Sequence, residues 1–114
     1  MNLRVIGSPE FDSQYAQLEA SARKGNGASQ SLLRKIDKAM GKLKWDYSAG
    51  MHVPKERIPQ FYVINYDVKN LWKLNIDPYY RLIYTIRSND VEVVSVVLEY
   101  LDHKAYDRRF GYKS

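Results

Sequence analysis

The sequence predicts an α+β protein: a helical hairpin packed on one face of a small, mostly antiparallel four-stranded sheet, in chain order β-α-α-β-β-β, with a short C-terminal helix as an option. Three features lead there. Residues 9–43 carry apolar side chains at helical spacing in two runs, split by Gly25-Asn26-Gly27-Ala28. The last third is dense in β-branched and aromatic residues and is broken by the turn signals Asp77-Pro78 and Ser88-Asn89-Asp90. A short apolar segment, Leu3-Arg4-Val5-Ile6, stands ahead of the first helix and reads as a strand closed by Gly7.

The first helix has a strong start at Ser8-Pro9-Glu10: a hydroxyl to cap it, proline where its missing N–H costs nothing, and acids Glu10 and Asp12 beside the positive end of the dipole. Phe11, Tyr15, Leu18 and Ala22 share one face, and the helix is expected to reach about Lys24, with Gly25 as a left-handed cap. A second helix is expected from Ser29 or Ser31, with Leu32, Leu33, Ile36, Met40 and Leu43 as its apolar stripe. Residues 46–70 hold Ser48, Gly50, Pro54 and Pro59, which break helices, and Phe61-Tyr62-Val63-Ile64 reads as an irregular or strand-like piece. Strands are then expected at Leu71–Ile76, Tyr80–Arg87 and Val91–Tyr100 as an antiparallel meander.

At 114 residues the chain is expected to form one domain, residues 1–114. Apolar residues make up 45% of it and charged residues 27%, ordinary globular figures, and no apolar run approaches the roughly 20 residues of a membrane helix. The absence of cysteine excludes disulfides, thiolate metal sites and cysteine nucleophiles. The N-terminus lacks the apolar core of a secretory signal, which leads us to expect a cytoplasmic protein. Lys and Arg number 18 against 13 Asp and Glu, a net +5, and residues 23–44 hold seven basic residues against Asp37 alone. Such a stripe suits a polyanion or an acidic partner protein, and it is equally what a solvated helix face looks like.

Side-chain alternation sets the register of the meander. If Asp77-Pro78-Tyr79 is a three-residue loop, Asn75 pairs with Arg81 and Lys73 with Ile83. Trp72, Leu74, Ile76, Tyr80, Leu82, Tyr84 and Ile86 then point into the helices. Lys73, Asn75, Arg81, Thr85 and Arg87 point to the opposite face, which is expected to be free for function.

After the last strand comes Asp102-His103-Lys104-Ala105-Tyr106-Asp107-Arg108-Arg109-Phe110, a polar stretch at the mouth of that basic face. RNA cleavage through the ribose 2′-hydroxyl needs a proton acceptor, cations for the charge growing on the phosphate oxygens, and an acid for the departing 5′-oxygen. It needs no metal and no cofactor. Lys73 and Arg81 suit the phosphate, Arg81 in bidentate fashion, and His103 suits proton transfer, with Lys104 as added charge and Tyr106 as a stacking or orienting group. Asn75, Arg87, Arg108 and Arg109 are the further candidates for binding substrate. Each residue also has a plainer reading. Lys73 could be a surface lysine, Arg81 could pair with Glu99 or Asp102, and His103 could end a strand. Tyr106 and Phe110 could form the apolar face of a short helix packed back on the sheet, and His52, alone between Met51 and Val53, reads as structural or exposed.

Taken together, the element order, the strand Leu71-Trp72-Lys73-Leu74, the segment Tyr80-Arg81-Leu82-Ile83-Tyr84-Thr85-Ile86 and the ending Asp102-His103-Lys104-Ala105-Tyr106-Asp107 resemble the RelE/ParE toxin superfamily of type II toxin–antitoxin modules, and in particular its RelE/HigB branch of messenger-RNA interferases. The resemblance covers nearly the whole chain. It implies a ribosome-dependent endoribonuclease that inhibits translation and is silenced by a cognate antitoxin protein. On that resemblance Lys73, Arg81, His103, Lys104 and Tyr106 are the catalytic candidates. Where RelE carries a second lysine two residues after the first, this chain has Asn75; a histidine in the ending is a feature of HigB-like relatives. Two other functions stay open: a ParE-like inhibitor of DNA gyrase, and a non-catalytic RNA- or protein-binding relative.

Overall fold

The first strand, β1 (Asn2–Gly7), ends where the chain turns at Ser8 into helix α1 (Pro9–Arg23). In this computed structural model, which describes residues 2–112, the Ser8 hydroxyl accepts the Phe11 N–H and itself donates to the Leu98 carbonyl, so one buried side chain caps the helix and ties it to the sheet. Gly25 adopts a φ of 90°, which suits glycine, and reverses the chain. Helix α2 (Gly27–Leu43) then starts earlier than Ser29. The Asn26 side chain, accepting the Ser29 N–H, caps it in place of a serine.

Next come β2 (Met51–His52), a single 3₁₀ turn at Lys55–Arg57, α3 (Gln60–Tyr66), β3 (Trp72–Asn75), β4 (Tyr80–Ser88), β5 (Glu92–Asp102) and α4 (His103–Phe110). The fold is α+β as expected, but the sheet has five strands rather than four, in the order β1-β5-β4-β3-β2. The extra strand, β2, is two residues long, too short to show any period in the sequence, and pairs with β3. The first strand runs parallel to β5 because the helical hairpin carries the chain back across the sheet; every other pairing is antiparallel. Asn75 stands opposite Arg81 and Lys73 opposite Ile83, the register expected from alternation.

Two corrections concern the face opposite the hairpin. Phe61-Tyr62-Val63-Ile64 is helical, within α3, although its residues favour strands: the helix puts Tyr62 wholly inside, where its hydroxyl reaches Glu99. Tertiary burial there overrides local propensity. The face itself is only partly open. Besides the core between the hairpin and the sheet, built on Phe11, Ile36, Leu43, Leu82, Tyr84 and Val97, a second core of Val53, Tyr62, Leu71, Ile83, Leu98 and Tyr106 covers much of the other side under α3 and α4.

A bulge in β5 serves this second core. Tyr84 pairs with Val97 and Ile83 with Glu99, leaving Leu98 as an extra residue. The slip turns Leu98 and Glu99 to the Lys73 face, where strict alternation would have turned Glu99 away. Among the described residues no helix is long and apolar enough to cross a membrane.

Candidate active site

The cations of β3 and β4 meet at one phenol. Lys73 and Arg81 lie on the same sheet face, two pairs apart in register, and Tyr106 comes down on them from α4. The Lys73 ammonium donates to Tyr106 Oη at 2.9 Å, and the Arg81 guanidinium carbon lies 5.5 Å from the centre of the Tyr106 ring. Tyr106 is itself buried and stacked on Phe110 with ring centres 4.5 Å apart. The two readings of Tyr106 are therefore both realised: it is a packing residue of α4, and its hydroxyl sits at the positive charge.

Helix α4 owes its position to its two ends. The Asp102 carboxylate accepts the Ala105 N–H at 2.8 Å and starts the helix directly at the end of β5, and Gly111, at a φ of 76°, ends it. Arg81 is held by the β3–β4 turn, its NH1 donating to the carbonyls of Asp77, Pro78 and Tyr80 at 3.2–3.3 Å. Its Nε and NH2 edge makes no bond among the described residues. The turn is braced in its own right. Asp77 is partly buried, which opposes ionisation, but the N–H groups of Tyr79 and Tyr80 and the Lys35 ammonium outweigh this and hold its carboxyl below the ordinary aspartate range.

Lys73 stands between two grooves. One, of about 410 Å³, runs along Ala49, Gly50, Met51, Leu74 and Asn75. The other, about 90 Å³, lies under Pro54, Arg57, Tyr106, Phe110 and Tyr112. Among the described residues neither is lined by a carboxylate. His52 borders the smaller groove, but it pairs with Trp72 rather than Lys73, and its ring packs against the Trp72 ring with centres 5.0 Å apart. Gly50 keeps the larger groove open. A β-carbon there would stand 2.6 Å from the Lys73 carbonyl oxygen and 2.8 Å from Tyr84 Oη, which accepts the Gly50 N–H and donates to the Tyr47 carbonyl. Burial pushes the Tyr84 phenol up to about 12.

The remaining candidates are spread more widely. His103 and Lys104, exposed on the first turn of α4, line a third groove with Tyr79, Tyr80 and Asp102. The His103 ring lies 3.4 Å from the Asp107 carboxylate one turn on. Asn75 is exposed at the lip of the larger groove, and Arg108 is exposed on the last turn of α4. Arg87 lies six residues along β4 from Arg81, about 20 Å away on an extended strand, and donates to the Tyr66 carbonyl. Arg109 faces inward: it grips Glu99 with Nε and NH2 at 3.1 and 3.2 Å and stacks 3.5 Å over Phe61. Burial opposes its charge, but the Glu99 bonds outweigh that and hold its pKa up. So Glu99 partners Arg109 and Tyr62, not Arg81. The structure thus gathers Lys73, Arg81 and Tyr106, keeps Asn75 beside them, sets His103 and Lys104 in the neighbouring groove, and places Arg87 and Arg109 elsewhere. Met51, Arg57 and Tyr112 border Lys73 without having been singled out in the sequence. They reach it through β2, the 3₁₀ turn at Lys55–Arg57 and the C-terminal turn, whose placement no local pattern signals. Among the described residues no group of three or more His, Asp or Glu side chains could hold a metal ion.

No family model matches the sequence, and no curated protein matches it. Among solved structures the chain is similar to the YoeB/ParE toxin from Agrobacterium tumefaciens, with a TM-score of 0.56 at 16% identity, over 88% of this chain and 98% of that one. The likeness is one of fold: this chain shares the overall strand and helix arrangement of that toxin structure.

Proposed function

We propose that this protein is the toxin of a type II toxin–antitoxin module, a cytoplasmic endoribonuclease that cuts messenger RNA on the ribosome and is silenced by a cognate antitoxin. The convergence on Tyr106 of Lys73, at its hydroxyl, and Arg81, against its ring, on a toxin-like fold, is the observation that supports this reading. The reaction is a transesterification. The ribose 2′-oxygen attacks the adjacent phosphorus, the bond to the 5′-oxygen breaks, a 2′,3′-cyclic phosphate remains, and the proton lost from the 2′-hydroxyl is matched by one delivered to the 5′-oxygen. Lys73 and the Nε–NH2 edge of Arg81 hold the charge on the non-bridging oxygens, and Tyr106 Oη, beside Lys73, orients the phosphate. His103, steadied by Asp107, transfers the proton, and Lys104 adds positive charge. Asn75 and Arg108 contact flanking nucleotides.

A second reading, a non-catalytic binder or a ParE-like gyrase inhibitor, is favoured by one observation. Among the described residues no carboxylate lines either groove beside Lys73, and the histidine at the smaller one packs its ring on Trp72. Induced expression in translating cells, with primer extension on a reporter message, separates the two. New 5′ ends in translated regions that disappear in Arg81→Ala and His103→Ala support the nuclease. Growth arrest with no new ends in the wild type supports the inhibitor or binder and removes the nuclease.

A further inference from the structure

The basic stripe of α2 does not stand apart from the site. Lys35, Lys38 and Lys42 recur at spacings of three and four on one helix face and, with Asn75 and Ile76 of the β3 end, line a cleft of about 260 Å³. Asn75 also lines the groove that holds Lys73, so the two depressions share a wall. Lys35 is committed to Asp77 at 3.1 Å, but Lys38 and Lys42 form no ion pair among the described residues. One helical turn separates these two, about 6 Å along the axis. At the C-terminal end of the stripe, just past Lys44, the Trp45 indole is 87% exposed. Its backbone N–H is bonded to the Lys42 carbonyl, so Trp45 stands one helical turn beyond Lys42 along the stripe, and the nearby Asp46 carboxylate is taken up by the Ser48 N–H and hydroxyl.

We propose that this cleft is a docking track for single-stranded RNA, with Lys38 and Lys42 on consecutive phosphates, Trp45 stacked on a base, and the strand passing over Asn75 toward Lys73. A nucleic acid uses both halves of the feature. Lysines in file meet a periodic anion, and a bare indole offers a flat face to any base. An acidic peptide uses the charge but has no need of an indole standing clear of any pocket. The track deepens the nuclease reading and rests on it for the direction of the strand.

The test uses a short oligoribonucleotide with 2′-O-methyl riboses, which cannot be cleaved, titrated into the full chain carrying Trp72→Phe so that emission reports Trp45 alone. Binding is expected to quench that emission. Trp45→Ala, followed by anisotropy of a labelled strand, is expected to weaken affinity at least about fivefold. Lys38→Ala with Lys42→Ala is expected to flatten the slope of log K against log salt by about 1.4, from about 0.7 for each phosphate contact on a single strand. Unchanged affinity and slope in these variants would overturn the track, as would displacement of the strand by poly-glutamate with no dependence on Trp45, which would mark a site for an acidic protein. The primer-extension result is independent. Cleavage with an intact salt slope in the lysine variant removes the track alone, and a working track without cleavage removes the nuclease alone.

Discussion

Glu99 shows how much can depend on one carboxylate. It is 8% exposed, yet it takes a short bond from Tyr62 Oη and both arms of Arg109, so three elements, α3, β5 and α4, share its charge. Burial first, then the Glu99 charge and hydrogen bond, push the Tyr62 phenol far above its ordinary range. Replacing Glu99 by Ala leaves a guanidinium over Phe61 with no counter-charge and a buried phenol with no acceptor. We expect a loss of about 3 kcal/mol, toward the low end for a broken buried pair because Arg109 is partly exposed, read as a lower urea midpoint. Tyr106 tests function at the same scale. Tyr106→Phe keeps the stacking on Phe110 and removes only the oxygen that Lys73 reaches, so the fold should persist with a cost of about 1 kcal/mol. Under the nuclease reading, new 5′ ends should fall by about 10²-fold or more. Wild-type cleavage by this variant would reduce Tyr106 to packing. The sequence showed that Lys73, Asn75 and Arg81 share a face, because strand alternation is a two-residue rule that needs no tertiary knowledge. It did not show which carboxylate takes which cation, since the β5 bulge at Leu98 moves Glu99 out of its alternation and toward Arg109.

Elements were legible in proportion to how local their causes are. The two long helices are dictated by apolar stripes and, for α1, by the Ser8 cap, and β3 to β5 by composition and turn signals, so all five appear close to where the sequence puts them, α2 starting two residues before Ser29 because Asn26 caps it. By contrast, α3 is held by what it buries. Its start rests on Pro59 with no side-chain cap, and its end on Asp67 at a φ of 50°, while Tyr62 supplies the reason to be helical. β2 exists only as an addition to β3, and Gly50 makes that approach possible. Gly50→Ala would drive a β-carbon into the Lys73 carbonyl, which is backbone and cannot swing aside. We expect β2 to separate from β3, with faster amide exchange at Val53, whose N–H is bonded to the Leu71 carbonyl. The α1–α2 hairpin should keep its protection. Equal loss of protection in the hairpin would mean that β2 and the hairpin open as one unit.

At the scale of the whole molecule, the ten tyrosines set the behaviour of the fold in alkali. Tyr15 is raised to about 12 by its bond to Asp37 together with burial, Tyr66 to about 12 by burial and Glu10, and Tyr84 to about 12 by burial; Tyr62 and Tyr100 are pushed up as well, burial being the main cause in both. In the unfolded chain these phenols ionise near 10. Between about pH 10 and 12 the unfolded state therefore binds fewer protons than the native one, and stability must fall as pH rises. The contribution is fully present below about pH 10 and is lost as pH climbs through the folded values. The fully buried pair, Tyr62 and Tyr84, lie on opposite faces of the sheet. Each subtracts about 1.4 kcal/mol per pH unit while it stays protonated in the fold and its unfolded counterpart does not. Tyr15 and Tyr66 are more exposed and count for less. Lysine deprotonation overlaps this range, so the decisive comparison is wild type against Tyr84→Phe, by urea midpoints alongside tyrosinate absorbance. At neutral pH the variant should be weaker, by about 1 kcal/mol or more, because the Gly50 N–H and the Tyr47 carbonyl lose their partner. Toward pH 12 its slope should be shallower and the two curves should converge. Parallel curves would mean that Tyr84 ionises inside the fold as easily as outside it, and the hairpin-side core would then be wetter than its packing implies.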